Sequence, residues 1–147
     1  MKVSFYSFSL VFIELLTILL ILLTGPLIAK NIFLLLIEIL GAGLGLWAVI
    51  TMFHQSQYRL FAEIGPKVKL VTTSPYYFIR HPMYLSVLLM ATALIGNHLT
   101  IFRLILGLVL LVNLIFKIKL EEKFLEKHFK DYLSYKKKTY RLIPSIY

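Results

Sequence analysis

The sequence contains no cysteine. That excludes disulfides, a thiolate nucleophile and any cysteine metal site, and it leaves the redox compartment open. Acidic residues are scarce, 7 against 16 Lys plus Arg, and only 16% of the 147 residues are charged. A soluble domain carries about a quarter charged residues and about 45–50% apolar ones. Here 59% belong to the apolar and aromatic set and the mean hydropathy is +0.83. With only 7 glycines and abundant Leu and Ile, collagen-like and disordered classes are excluded as well. No G-x-G-x-x-G follows a strand, and there is neither a Walker loop nor an H-E-x-x-H. His54, His81, His98 and His128 lack ligand spacing, so no metal is expected. No internal repeat is visible.

What is present is long apolar runs. Between Lys2 and Lys30 the only charge is Glu14, and from Asn31 to Phe53 the only one is Glu38. Each run reaches the roughly 20 residues that cross a bilayer core. Gly25 and Pro26 separate them, so they read as a helical hairpin. A third run from Met83 and a fourth from Ile101 are shorter and are divided by Gly96, Asn97 and His98; Arg103 in the fourth is placed to snorkel to the interface. The expected fold is all-α: one polytopic integral-membrane domain over 1–147, with spans at about 4–24, 31–53, 83–99 and 101–118, a loop over 54–82 and a tail over 119–147. Lys2 and Ala29 raise the alternative of a cleaved signal peptide, but the run exceeds a typical core of about 7–15 residues and a second span follows.

A net charge of +9 in so apolar a chain demands spatial separation of the two properties. Arg59, Lys67, Lys69 and Arg80 lie in the loop, and nine further cations lie from Lys117 to Arg141. The positive-inside rule therefore puts both termini, the loop and the tail in the cytosol. The cations are explained by topology and anionic lipid, so no nucleic-acid partner is expected. Gly41 and Gly45 match a small-xxx-small spacing that serves either packing within the protein or a dimer contact. Glu14 and Glu38 are costly inside a bilayer; each is either functional or held by a buried hydrogen bond to Ser, Thr, Asn or Tyr.

The loop ends in V-T-T-S-P-Y-Y-F-I-R-H-P-M-Y-L-S, Val71 to Ser86. Pro82 suits the first turn of the third span, with His81 at the cap. The unpaired N–H groups of such a helix start attract a carboxylate or phosphate. Arg80 adds charge, and Tyr76, Tyr77 and Tyr84 add rings fitted to a ligand or to the headgroup belt. An interfacial anchor would account for the same residues. Beyond the fourth span, Lys117 to Tyr135 reads as a continuing helix. Leu125, Phe129 and Tyr132 form its apolar face, and Glu126 with Lys130 and Lys127 with Asp131 are favourable pairs. Glu121 and Glu122 stand where it leaves the bilayer, either as solvated charges or as site carboxylates.

Taken together, Leu70 to Ser86 followed by Glu121, Glu122, Leu125, Phe129, Tyr132 and Tyr135 and then R-L-I-P resembles the isoprenylcysteine carboxyl methyltransferase family. That family is similar in turn to the phospholipid methyltransferases. The resemblance runs from about Leu70 to Pro144. It implies an integral-membrane methyltransferase that binds S-adenosylmethionine from the cytosol, with the C-terminal helix completing the cofactor site. The lipophilic acceptor would enter from the bilayer. By position, the cofactor contacts would be Leu70, Val71, Tyr76, His81, Pro82, Met83, Tyr84 and Glu121. Lys117 stands where the carboxyl methyltransferases carry an Arg that helps hold the substrate carboxylate; it keeps the charge without the planar fork. Ser74 and Ser86 replace expected glycines, and Lys130 replaces another.

The implied reaction is direct in-line methyl transfer, which needs chiefly positioning and desolvation. The expected acceptor is a C-terminal isoprenylcysteine carboxylate, which would make the chain protein-S-isoprenylcysteine O-methyltransferase-like. A phospholipid or another lipid, thiol or amine is the alternative, and a neutral thiol or amine would need a base, for which Glu122 or His81 are candidates. Lys117, Arg80 and Glu122 are thus the candidate catalytic residues. Two further alternatives are a sterol-type membrane reductase using NADPH and a non-catalytic protein that holds lipids or a partner.

Overall fold

The computed structural model describes residues 5–55 and 69–143. Arg59, Lys67, Pro144 and residues 56–68 of the central loop lie outside the described residues. Five α-helices follow one another: α1 (Phe5–Leu23), α2 (Ile32–Gln55), α3 (Pro82–Asn97), α4 (Ile101–His128) and α5 (Tyr132–Lys138), with a 3-10 turn at Ser74–Tyr77 before α3. Among the described residues there is no strand, only an isolated parallel bridge between Ile79 and Tyr140. The protein is all-α, as its composition requires.

α1, α2 and α4 are each long and apolar enough to cross a membrane, whereas α3 has 16 residues, a rise of about 24 Å. Large apolar side chains such as Phe12, Leu23, Leu40, Leu46 and Leu108 point outward, a surface that only lipid satisfies. The first two helices do not pair chiefly with each other. α2 packs along α3, and α1 along α4, with α3 also touching both α1 and α4. The main core lies among α1, α3 and α4 and consists of Ile21, Ala91, Leu94, Ile95, Leu106, Leu110 and Leu114.

Lipid tails are as apolar as leucine, so burying these residues drives helix association only weakly; close approach and polar bonds between helices carry the specificity. Gly41 and Gly45 provide the approach. The Ser86 hydroxyl donates to the Gly41 carbonyl at 2.7 Å, and a Cβ on Gly45 would come within 2.4 Å of Ser86 Oγ. Their use is therefore packing within the chain. Gly43 faces open space. Between α1 and α4, Asn113 Nδ2 donates to the Leu10 carbonyl at 3.0 Å, and Lys117 donates to Glu14, both side chains being nearly sealed from solvent. The partner of Glu14 is thus an ammonium rather than a hydroxyl or amide. Glu38 accepts from the Ala29 backbone N–H at 3.0 Å and braces the turn between α1 and α2.

Arg103 does not snorkel. It is 1% exposed and donates to the Ile21 carbonyl at 2.9 Å, the Thr24 hydroxyl at 3.3 Å and the Leu94 carbonyl at 2.6 Å. These carbonyls belong to the last turns of α1 and α3, where four C=O groups lack helical partners and the dipole favours a cation. A Cβ on Gly25 would stand 2.1 Å from Arg103 Nη1, so the turn that ends α1 has to be glycine. At the same end Asn97 joins the two turns, accepting from Lys30 N at 2.8 Å and donating to Ile28 O at 3.1 Å.

The continuous tail helix expected through Tyr135 is interrupted. α4 stops at His128, and Phe129 is extended. Glu126 pairs at 2.6 Å with Lys136 of α5 in place of Lys130. The break lets α5 fold back so that Tyr132 is fully buried, and the chain beyond it reaches the start of α3.

Replacing Arg103 by Met strands helix-end carbonyls, each worth about 1–3 kcal/mol when buried without a partner, and lowers the unfolding temperature in detergent. Gly45→Ala destabilises through its clash with Ser86, whereas Gly43→Ala raises stability by about 0.5–1 kcal/mol. Equal effects of the two glycine substitutions would contradict this packing.

Candidate active site

The loop re-enters at residue 69, and its conformation is set by short-range chemistry. Ser74 has φ +54°, a left-handed backbone that glycine adopts without strain and serine does not. This is the position at which the resembled family carries glycine. Pro75 then starts the 3-10 turn, with Tyr76 N donating to Thr73 O at 3.1 Å. The Thr73 hydroxyl donates to Gln55 Oε1 at 2.7 Å, tying the returning loop to the end of α2. Tyr76 and Val71 pack with Ala48 of α2 in a small core that Met52 and Met83 flank. Leu70 is half-buried beside it.

Three residues after Ile79, Pro82 opens α3 with His81 at its N-cap. His81 lies flat against Tyr84, centroids 5.4 Å apart at 10°. The Tyr84 hydroxyl donates to Glu121 Oε2 at 2.9 Å. His81 Nδ1 lies 3.5 Å from Glu121 Oε2, and Nε2 lies 3.6 Å from Glu122 Oε1. Nε2 is buried without a hydrogen bond, an orphaned polar atom against the sealed Glu122. Met83 and Tyr84, adjacent on one helical turn, connect the apolar cluster around Tyr76 to this polar cluster. Below it, Lys117 Nζ sits 5.2 Å from the Tyr84 ring centroid.

Glu122 is the centre of the cluster. Its side chain is 4% exposed, and it accepts from Arg80 Nε at 2.9 Å on one oxygen and from Arg141 Nε and Nη2 at 3.1 and 3.0 Å on the other. Lys136 approaches to 3.5 Å. Arg80 also donates to the carbonyls of Lys136 and Thr139. The main chain follows: Arg80 N donates to Tyr140 O at 2.8 Å, His81 N to Arg141 O at 3.1 Å, and Tyr140 N to Phe78 O at 3.2 Å. The Tyr135 hydroxyl donates to Tyr76 O. The tail is thus stitched across the loop and the entrance to α3.

Burial alone would raise the pKa of Glu122, but facing His81, Arg141 and Arg80 it is held far below the ordinary carboxylate range. Glu121 is also lowered: burial opposes its charge, while His81, Tyr84 and Lys117 favour it. Burial disfavours the His81 imidazolium, yet the Glu121 and Glu122 carboxylates prevail and raise its pKa. Burial pushes the Tyr135 phenol up, which keeps it a donor.

Of the candidate cofactor contacts, the structure gathers Val71, Tyr76 and Met83 into one group and His81, Tyr84 and Glu121 into the next; Pro82 opens the helix that carries Tyr84, and Leu70 precedes Val71, half-buried. Glu121, with 30% of its side chain exposed, is the open acid; Glu122 is the sealed one. Arg80 and Glu122, two of the candidate catalytic residues, bond each other and the tail. Lys117, the third, is 4% exposed and pairs with Glu14. Glu14, Lys136, Thr139 and Arg141 complete the cluster but were not singled out from the sequence as members of it. Only the R-L-I-P segment that contains Arg141 signalled any of them.

The sequence model of the phospholipid methyltransferase family matches residues 27–132, which takes in α2, α3 and α4 with Arg80, His81, Lys117, Glu121 and Glu122 but not Glu14, Lys136, Thr139 or Arg141. No curated protein and no solved structure matches the chain.

Two measurements test this geometry. The lowered carboxylates contribute stability that is present above their ordinary value of 4.5 and is lost as pH falls through their lowered pKa values. The raised His81 contributes stability that is complete below its ordinary 6.5 and is lost as pH rises through its raised pKa. His81→Gln therefore removes the alkaline decline in thermal stability and also weakens the acid limb, because His81 is foremost among the groups that lower both carboxylates, and an unchanged profile would refute the pairing. Glu122→Gln leaves Arg80 and Arg141 without their anion and costs about 3–5 kcal/mol, whereas Ser74→Gly stabilises by about 1–2 kcal/mol.

Proposed function

The chain belongs to the phospholipid methyltransferase family, and on that premise we propose that it transfers a methyl group from S-adenosylmethionine to the polar end of a membrane-embedded acceptor. The observation that carries the reading is the convergence of the loop, the first turn of α3 and the far end of α4 on one half-open carboxylate, Glu121, beside the orphaned His81 nitrogen. The residues present fit such a donor. The apolar cluster of Val71, Tyr76 and Met83 offers the surface its adenosine part needs. The start of α3, the positive end of its dipole, suits its carboxylate, and Glu121 suits its amino group.

Bound there, the donor supplies an electrophilic sulfonium methyl. The protein's part is placement and exclusion of water. Arg80, Glu122 and Arg141 hold the tail over the loop, and Tyr135 fixes the backbone of Tyr76. Such positioning is the chief demand of an in-line displacement. His81, its pKa raised by the two facing carboxylates against the effect of burial, favours negative charge in the donor's carboxylate.

The acceptor enters from lipid between exposed apolar helices. An isoprenylcysteine carboxylate is one reading, supported by the combined Leu70–Ser86 and Glu121–Tyr135 pattern; a phospholipid headgroup is the other, supported by the family match. The topology that serves either has four passes with both termini and the site in the cytosol, in keeping with the distribution of cations.

Titration calorimetry on purified protein is expected to show S-adenosylmethionine binding that falls about tenfold or more in Glu121→Ala, the loss of a hydrogen-bonded charge contact. Absence of binding by the intact protein would overturn the assignment. A reporter fused to the C-terminus is expected to be cytosolic.

A further inference from the structure

The charges of the cluster are matched. Glu121 faces His81 and Tyr84. Lys117, the cation packed under the Tyr84 ring, is bonded to Glu14 with both side chains nine-tenths or more buried. Arg80, Arg141 and Lys136 gather around Glu122, and Arg80 also bonds carbonyls of the tail. Each of these cations is thus already engaged by an acid. In a dry site a carboxylate without a partner is strongly disfavoured, and one placed beside Glu121 also suffers like-charge repulsion.

We propose that Glu14 is a specificity-determining residue: by neutralising Lys117 from the neighbouring helix, it sets the site for an acceptor whose reacting group carries no negative charge and turns it against carboxylates. This rests on the methyl-transfer reading above. It gives Glu14, which lies outside the loop, α3 and the acid pair, a role in choosing the substrate. Asn113, one turn before Lys117 on α4, holds the Leu10 carbonyl, one turn before Glu14 on α1, so the pair is fixed by a second bond between the same two helices.

The test uses two membrane-soluble probes with a labelled methyl donor: a farnesylated N-acetylcysteine, which ends in a carboxylate, and phosphatidylethanolamine vesicles, which present an amine. The intact protein is expected to bind the carboxylate probe no more tightly than its uncharged amide, and binding about tenfold tighter would overturn the proposal. Glu14→Gln frees the Lys117 ammonium, and the ratio of carboxylate to amine methylation rises about tenfold, the worth of one charge-assisted bond. That gain disappears in Glu14→Gln with Lys117→Met, which separates a released charge from loosened packing. An unchanged ratio in Glu14→Gln, or a gain that persists in the double variant, would overturn the proposal. Should the single variant not fold, the probe-against-amide comparison on the intact protein decides alone. Failure of the parent reading looks different: the intact protein would neither bind the donor nor label either probe.

Discussion

A single sealed carboxylate organises the end of this protein at which the loop and the tail meet. Glu122 sits among Arg80 from the loop, Arg141 from the tail, Lys136 from α5 and His81 from the cap of α3. An isolated acid in that position would cost several kcal/mol in desolvation and would protonate instead. Its charge is tolerable only when the three segments are all in place. The carboxylate thereby makes the folding of loop, helix start and tail one event, and the neighbouring Glu121, half open to solvent, inherits a fixed frame.

The same logic recurs at the opposite end in a different chemistry. There the hub is a guanidinium, Arg103, and its partners are backbone carbonyls at the ends of α1 and α3. Between these hubs the helices meet through glycine and serine contacts and through the Glu14–Lys117 pair. The protein is held by a few directional bonds at two ends and one in the middle. That distribution suits a medium in which apolar burial contributes little to association.

Much of this architecture is legible in the sequence where the determinant is local. Gly25 and Pro26 end α1, Pro82 begins α3, and the apolar runs give the helices their length. The R-H-P and E-E residues mark the site because the chemistry needs those types close together. What escapes the sequence is pairing at long range. Nothing near Arg103 announces that its partners are carbonyls 9 and 82 residues away, so snorkelling was the natural expectation. Likewise the periodicity of Leu125, Phe129 and Tyr132 continues a helix on paper. In the folded chain, sealing Tyr132 and reaching Arg80 outweigh one more helical turn. Ser74 shows the reverse case: a departure from the family's glycine is visible in the sequence, and its positive φ supplies the reason for the glycine.

The division of the first two helices between different partners bears on how the chain is made. Glu14 and Lys117 are 103 residues apart, and α1 packs along α4, the last helix of the bundle to be synthesised. During synthesis α1 enters the bilayer carrying an acid whose counter-ion does not yet exist, and α2 takes α3 as its neighbour first. Assembly is therefore completed from the outside of the chain inward in time: its first and last spans meet at the end. Until α4 arrives, that side chain is a costly guest in the bilayer.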